Sequence, residues 1–113
     1  MNDRLNKSTD IENVMKYGRR SGDGLLMITV KDSERNLSRY GFSVSKRVGN
    51  AVARNRIKRR LREIVRKKVG LTGSWDVVIV ALPPSSNATF KQIIYSLIRI
   101  YERLGVSCYP IEE

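Results

Sequence analysis

The run Val48-Gly49-Asn50-Ala51-Val52-Ala53-Arg54-Asn55-Arg56-Ile57-Lys58-Arg59-Arg60-Leu61-Arg62-Glu63 constrains this chain more than any other segment. Taken at about 100° of rotation per residue, Ala53, Ile57, Leu61, Ile64 and Val65 share one direction, the stripe that a helix docked on a core requires. Arg54, Asn55, Arg56, Lys58, Arg59, Arg62 and Arg66 fan over the opposite surface. Glu63 is the one opposing charge within the run, so the spaced ion pairs that steady a solvated helix cannot form along it. Like charges crowded on a helix call for an external polyanion. Arginine outnumbers lysine here, and the planar guanidinium fork matches phosphate oxygens bidentately and stacks on bases.

The rest of the charge supports this reading. The net charge is +11, and eleven of the 22 basic residues lie within positions 46–68. A patch this concentrated is the footprint of a nucleic-acid binder. With 113 residues the chain has the length of one domain with one core. Histidine is absent and Cys108 is the one cysteine, which excludes an internal disulfide and a Cys/His zinc site. Cys108 reads as a small apolar side chain near the last helix. Met1-Asn2-Asp3-Arg4 is polar and no apolar run approaches about 18 residues, so the expectation is a cytoplasmic protein. Membrane-surface binding by the basic helix is disfavoured, because its apolar stripe has no Trp or Phe and is needed by a core.

Along the chain, Thr9-x-x-Glu12 reads as a capping box for a first helix over residues 10–17, with Ile11, Val14 and Met15 inward and Gly18 ending it. Residues 25–30 read as a strand bounded by Gly22-Asp23-Gly24 and the polar stretch 31–36. In 40–45, Tyr40, Phe42 and Val44 share one strand face, while Gly41, Ser43 and Ser45 share the other. That small, polar face either lines a groove or meets water. Asn50 caps the basic helix, which Gly70 or Gly73 ends. Residues 74–82 form the strongest strand, stopped by Pro83-Pro84. A last helix follows from Asn87, with Phe90, Ile93, Ile94, Leu97, Ile98, Tyr101 and Leu104 inward and Gly105 at its end. The order α-β-β-(β)-α-β-α predicts an α+β fold, a single-domain sandwich with helices covering one sheet face.

The chain is poorly supplied for catalysis of its own. A protein nuclease needs a base such as histidine or carboxylates gathered around magnesium, and the eleven acidic residues are scattered. Asp10 and Glu12 sit at a helix start, where acids belong for dipole reasons. No Gly-x-x-x-x-Gly-Lys phosphate loop occurs. Tyr17, Tyr40 and Trp75 fit base stacking and core packing equally. No helix-turn-helix spacing precedes the basic helix, which weighs against a DNA regulator. A ribosome- or translation-associated structural RNA-binding protein fits the same order of elements.

Arg54-Asn55-Arg56 within the basic run, preceded by Ser43-Val44-Ser45-Lys46-Arg47, closely resembles the signature of the bacterial ribonuclease P protein subunit. The similarity extends from Arg4-Leu5 through the late strand into the last helix. It implies a small basic partner of a catalytic RNA, the two together removing the 5′ leader of precursor tRNA. The RNA would position Mg2+, with no cofactor held by protein side chains alone and no obligatory protein partner. Arg54, Asn55, Arg56, Lys58, Arg59 and Arg62 would contact the catalytic RNA. Ile11, Met15, Ser43, Ser45, Lys46 and Arg47 would form the leader groove between the first helix and the sheet. The resemblance also implies a left-handed strand-helix-strand crossover around the basic helix, an exception to the usual hand. One departure stands out: the family commonly carries two aromatic residues on the groove side of the first helix, where this chain has Ile11 and Met15. Stacking of a base on an aromatic ring contributes about 1–3 kcal/mol, so leader binding is expected to be weaker or to lean on Lys46 and Arg47. Ile11 and Met15 themselves face either the groove or the core.

Overall fold

The computed structural model describes residues 4–111. In chain order the elements are α1 (Ser8–Tyr17), β1 (Arg19–Gly22), β2 (Leu26–Asp32), β3 (Arg39–Val44), α2 (Ala51–Lys67), β4 (Val69–Leu71), β5 (Trp75–Ala81), α3 (Phe90–Leu104) and β6 (Cys108–Pro110). The main sheet has the order β1-β2-β5-β3, and β4 pairs with β6 in a small second sheet. Strand β5 is antiparallel to β2, from Leu26↔Ala81 to Asp32↔Trp75. It is parallel to β3, from Arg39↔Asp76 to Val44↔Ala81. Two neighbouring parallel strands are thus joined through the basic helix α2, and β3 is left at the sheet edge.

The α+β architecture follows the sequence, but the layering does not. Side chains of one strand alternate between faces. Val77, Ile79 and Ala81 of β5 join the large core under α2 and α3. Val78 and Val80 turn the other way and meet Leu5, Ile11, Val14 and Met15. Helix α1 therefore covers the opposite face, and helices flank the sheet on both sides, not one. The unbroken apolar run Val77-Val78-Ile79-Val80 carries the reason, since a strand buried on both faces has no polar positions to alternate.

Several local expectations are corrected. Helix α1 starts at Ser8, with Lys7 extended before it and no side-chain cap, so Thr9 lies inside the first turn and the Thr9/Glu12 capping box is not made. The Ile11 N–H donates to Lys7 O at 3.0 Å, which begins the helix a step earlier. Gly18 does end α1, yet its φ of −79° is ordinary. Glycine is required there by crowding, because a Cβ would lie 2.6 Å from Val14 O and 2.7 Å from Val30 O. Strand β1 has no counterpart in the sequence reading: Arg19-Arg20-Ser21-Gly22 has no apolar residue and exists through its ladder with β2. Asp23 makes the turn between them, its carboxylate accepting from Leu25 N and Leu26 N at 2.8 and 3.0 Å.

Helix α2 begins as expected, with the Asn50 side chain accepting from Ala53 N at 3.0 Å. It ends at Lys67, and Gly70 lies within β4 under the Tyr109 ring, not at a helix stop. Helix α3 opens on a capping box of Thr89 and Gln92 and closes on Gly105 at φ 72°. Of its expected inward residues, Ile93, Leu97, Tyr101 and Leu104 are buried, joined by Ser96 and Ile100. Phe90, Ile94 and Ile98 are half-buried at the margin of the core.

Candidate nucleic-acid interface

Helix α2 leaves a 3-10 turn (Lys46–Val48) at the end of β3 and returns along that strand. Its last two turns meet Tyr40, Gly41 and Phe42 around a common cavity. Arg54, Lys58, Arg62 and Arg66 follow one another at four-residue intervals, about 6 Å of helix rise per step, and so form a ridge beside the open sheet edge. The first three are half-buried, whereas Asn55, Arg56 and Arg59 stand in solvent. Arg60 is directed elsewhere, to the Ala88 carbonyl at 3.5 Å. The basic surface therefore has an edge-side ridge and an outward row.

Among the described residues, the outer edge of β3 is paired at its start alone, where Leu5 N–H donates to Tyr40 O at 2.9 Å. Since Tyr40 turns its backbone groups outward, alternation turns those of Phe42 and Val44 outward too. A cavity of about 230 Å³ opens at this edge. Arg4, Leu5, Asn6 and Ile11 line one side, Tyr40, Gly41 and Phe42 the floor, and Arg62, Val65 and Arg66 the other side. Gly41 permits the close approach, for a Cβ there would sit 2.9 Å from Leu5 O. The Phe42 ring lies nearly parallel to that of Tyr40, with centroids 6.5 Å apart. The Arg62 guanidinium carbon sits over Phe42, 6.0 Å from its centroid.

The expected groove residues fall into two groups. Ile11 and Met15 are half-buried against the Val78 cluster, and Ile11 also reaches the cavity, so it serves core and groove together. Ser43 pairs with Val80, which places it on the α1 face, and it is exposed. The Ser45 hydroxyl is already engaged, accepting from Arg47 N at 3.2 Å to cap the turn. Lys46 and Arg47 are exposed in the turn after β3, whose last residue, Val44, lies about 10 Å of strand from Gly41. Phe42 and Arg66 join the site without having been expected there. Arg66 continues the four-residue series and could have been found from it; Phe42 shares the inward face with Tyr40 and reads as core.

Three aspartates, Asp10, Asp23 and Asp76, are engaged within the fold. Arg39 forks onto both Asp76 carboxylate oxygens at 2.9 Å and reaches Asp10 of α1 at 3.4 Å. The bond to Asp76 raises the Arg39 pKa. Burial opposes ionisation of Asp23, but the Ser96 hydroxyl, the two backbone N–H groups and Arg99 outweigh it and hold the carboxyl below its ordinary value. Among the described residues no three of Cys, Asp and Glu gather where they could hold a metal ion, and no helix is long and apolar enough to cross a membrane.

Known proteins with this arrangement point one way. The model of a family described as Ribonuclease P matches residues 1–105. The ribonuclease P protein component of Alkaliphilus metalliredigens is 35% identical over 104 residues, 91% of this chain and 94% of the relative. That of a Nocardioides species is 40% identical over 106 residues, 90% of this chain and 91% of the relative. The solved RNase P protein of Staphylococcus aureus superposes with a TM-score of 0.79 at 29% identity, covering 91% of this chain and 95% of that one. A fold shared over about nine tenths of both chains with such proteins, carrying its arginine ridge on the helix between two parallel strands, makes this chain a member of the ribonuclease P protein family.

Proposed function

We propose that this chain is the RNA-binding protein subunit of a cytoplasmic ribonuclease P, in which a catalytic RNA removes the 5′ leader of precursor tRNA. The observation that carries the reading is the pairing of two surfaces around β3: an arginine-rich row on α2, and a cavity with a groove where α1 meets the sheet edge. The outward row, Asn55, Arg56 and Arg59, with Arg54, Lys58 and Arg62 beside it, binds the catalytic RNA through phosphates. The groove from Ile11 and Met15 past Ser43 and Ser45 to Lys46 and Arg47 receives the leader, whose bases are unpaired and open to stacking and edge contacts. Mg2+ and the cleavage chemistry belong to the RNA, where phosphate oxygens supply hard oxygen ligands.

The test is precursor-tRNA cleavage at low Mg2+ by the RNA alone, the protein alone and the two together. Cleavage that becomes strong only in the mixture is the expected result. Cleavage by RNA-free protein would put an active site in the chain itself. No gain on mixing would favour a translation-associated RNA-binding role, to which the basic helix is equally suited.

A further inference from the structure

We infer that the hollow beside the start of α3 binds one unpaired nucleotide of the catalytic RNA, with Tyr95 stacking on its base and Arg99 holding its phosphate. The inference rests on the proposed function and deepens it, adding a contact on a helix to which that reading gives no part. Gln92, Tyr95 and Arg99 follow one another at i, i+3 and i+7, so they share one side of α3, and all three are exposed. They line a cavity of about 420 Å³, to which Leu25 and Pro84 add apolar surface. Small-molecule pockets run from about 300 to 1,000 Å³, and a volume near the lower end suits a single nucleotide and not a duplex. Tyr95 is 57% exposed, so its ring is open to stacking. Gln92 Oε1 accepts from Thr89 N at 2.8 Å, which fixes the carboxamide and leaves its NH2 to donate to a base edge. Arg99 lies 3.9 Å from an Asp23 carboxylate that already accepts from Ser96, Leu25 and Leu26, and its guanidinium remains available to a phosphate.

The catalytic RNA is the source because the hollow continues the surface assigned to it. Arg60 stands one turn beyond Arg56 of the outward row, and its guanidinium donates to the Ala88 carbonyl at 3.5 Å. Ala88 also lines the hollow, so a strand lying over Arg56 meets Arg60 and then Arg99 on its way in. Helix α1 and the groove proposed for the leader lie across the sheet, against Val78 and Val80, whereas α3 packs with Val77, Ile79 and Ala81. The base must be unpaired, since helical RNA keeps its bases stacked internally.

The test uses the full chain and its catalytic RNA, and reads the Kd of the pair together with the reactivity of unpaired RNA bases to dimethyl sulfate and carbodiimide. Wild type is expected to protect at least one unpaired base that Tyr95→Leu leaves reactive. Tyr95→Leu is expected to weaken the Kd about fivefold or more without changing the slope of log K against log salt, because it removes a ring and no charge. Tyr95→Phe is expected to bind as wild type does. Arg99→Gln is expected to weaken binding and to lower that slope by up to about 0.7, the single-strand value for one phosphate. Tyr95 and Arg99 are both exposed, so neither change disturbs the core. A wild-type Kd and protection pattern in Tyr95→Leu overturns the site, as does a loss confined to the binding of precursor or mature tRNA by the reconstituted holoenzyme. Wild type that fails to bind the catalytic RNA overturns the proposed function itself.

Discussion

Arg56 and Asp76 show two opposite uses of a charged side chain. Arg56 is exposed on α2 and contributes nothing to the core, so its charge is available to phosphate. Arg56→Ala is expected to leave the urea midpoint unchanged while weakening catalytic-RNA binding. The slope of log K against log salt should fall by up to about 0.9 if Arg56 neutralises one phosphate of an RNA duplex, and an unchanged slope would remove Arg56 from the interface. Asp76 is 6% exposed and holds the largely covered Arg39 by two hydrogen bonds. Asp76→Ala leaves that guanidinium only the longer contact with Asp10 and is expected to cost about 3 kcal/mol in urea unfolding. Asp10→Ala removes only the longer, half-exposed link to Arg39, and a destabilisation under about 1 kcal/mol is expected. A comparable destabilisation from both would show that α1 depends on this link more than its geometry implies. Arg56 is legible in the sequence because its neighbours repeat its charge at helical spacing. Arg39 and Asp76 are not, since partners 37 positions apart leave no local trace.

The elements differ in the same way. Helices α2 and α3 and strand β5 can be read because each has a long apolar period of its own. Strands β1, β4 and β6 have 3 or 4 residues and exist only through their partners' ladders. The face on which α1 docks is equally hidden, and that placement builds the groove. Gly18 tests it: an alanine there must push α1 from β2, because the obstacles are the backbone oxygens of Val14 and Val30. Gly18→Ala is expected to destabilise by about 1–3 kcal/mol and to weaken leader-bearing tRNA more than mature tRNA. Equal weakening would detach α1 from the groove. At the other end of the sheet, Asp23 ties the β1–β2 turn to Ser96 of α3 at 2.6 Å. Its folded pKa lies below the ordinary 3.8, so the stability it adds is fully present above that value and is lost as pH falls through the folded pKa. Asp23→Asn is therefore expected to lower stability near neutrality and to flatten its decline in acid, as followed by urea midpoints from pH 6 downward. An unaltered acid slope would assign the decline to other carboxylates.

For the molecule as a whole, a net charge of +11 on 113 residues sets stability and binding against each other. Arg54, Lys58, Arg62 and Arg66 repel one another at four-residue spacing, and Glu63 is the one acid on their helix; the folded state keeps the ridge because α2 also supplies Ile57, Leu61, Ile64 and Val65 to the core. Unfolding disperses these charges, so the free protein is less stable than its packing alone would make it. A polyanion that seats on the ridge binds the folded chain and not the unfolded one, and must stabilise by mass action. At a concentration near 100 times its Kd, pyrophosphate is expected to add about 2.7 kcal/mol, roughly 10–20 °C in Tm for a domain of this size. Chloride at matched ionic strength should give much less, because it screens the ridge without bridging its arginines. Replacing both Lys58 and Arg62 by Gln should raise the Tm of the free protein and shrink the pyrophosphate shift together. If the shift persists at full size in that variant, or if chloride reproduces it, the relief of charge lies elsewhere on the molecule and the ridge is not the anion site.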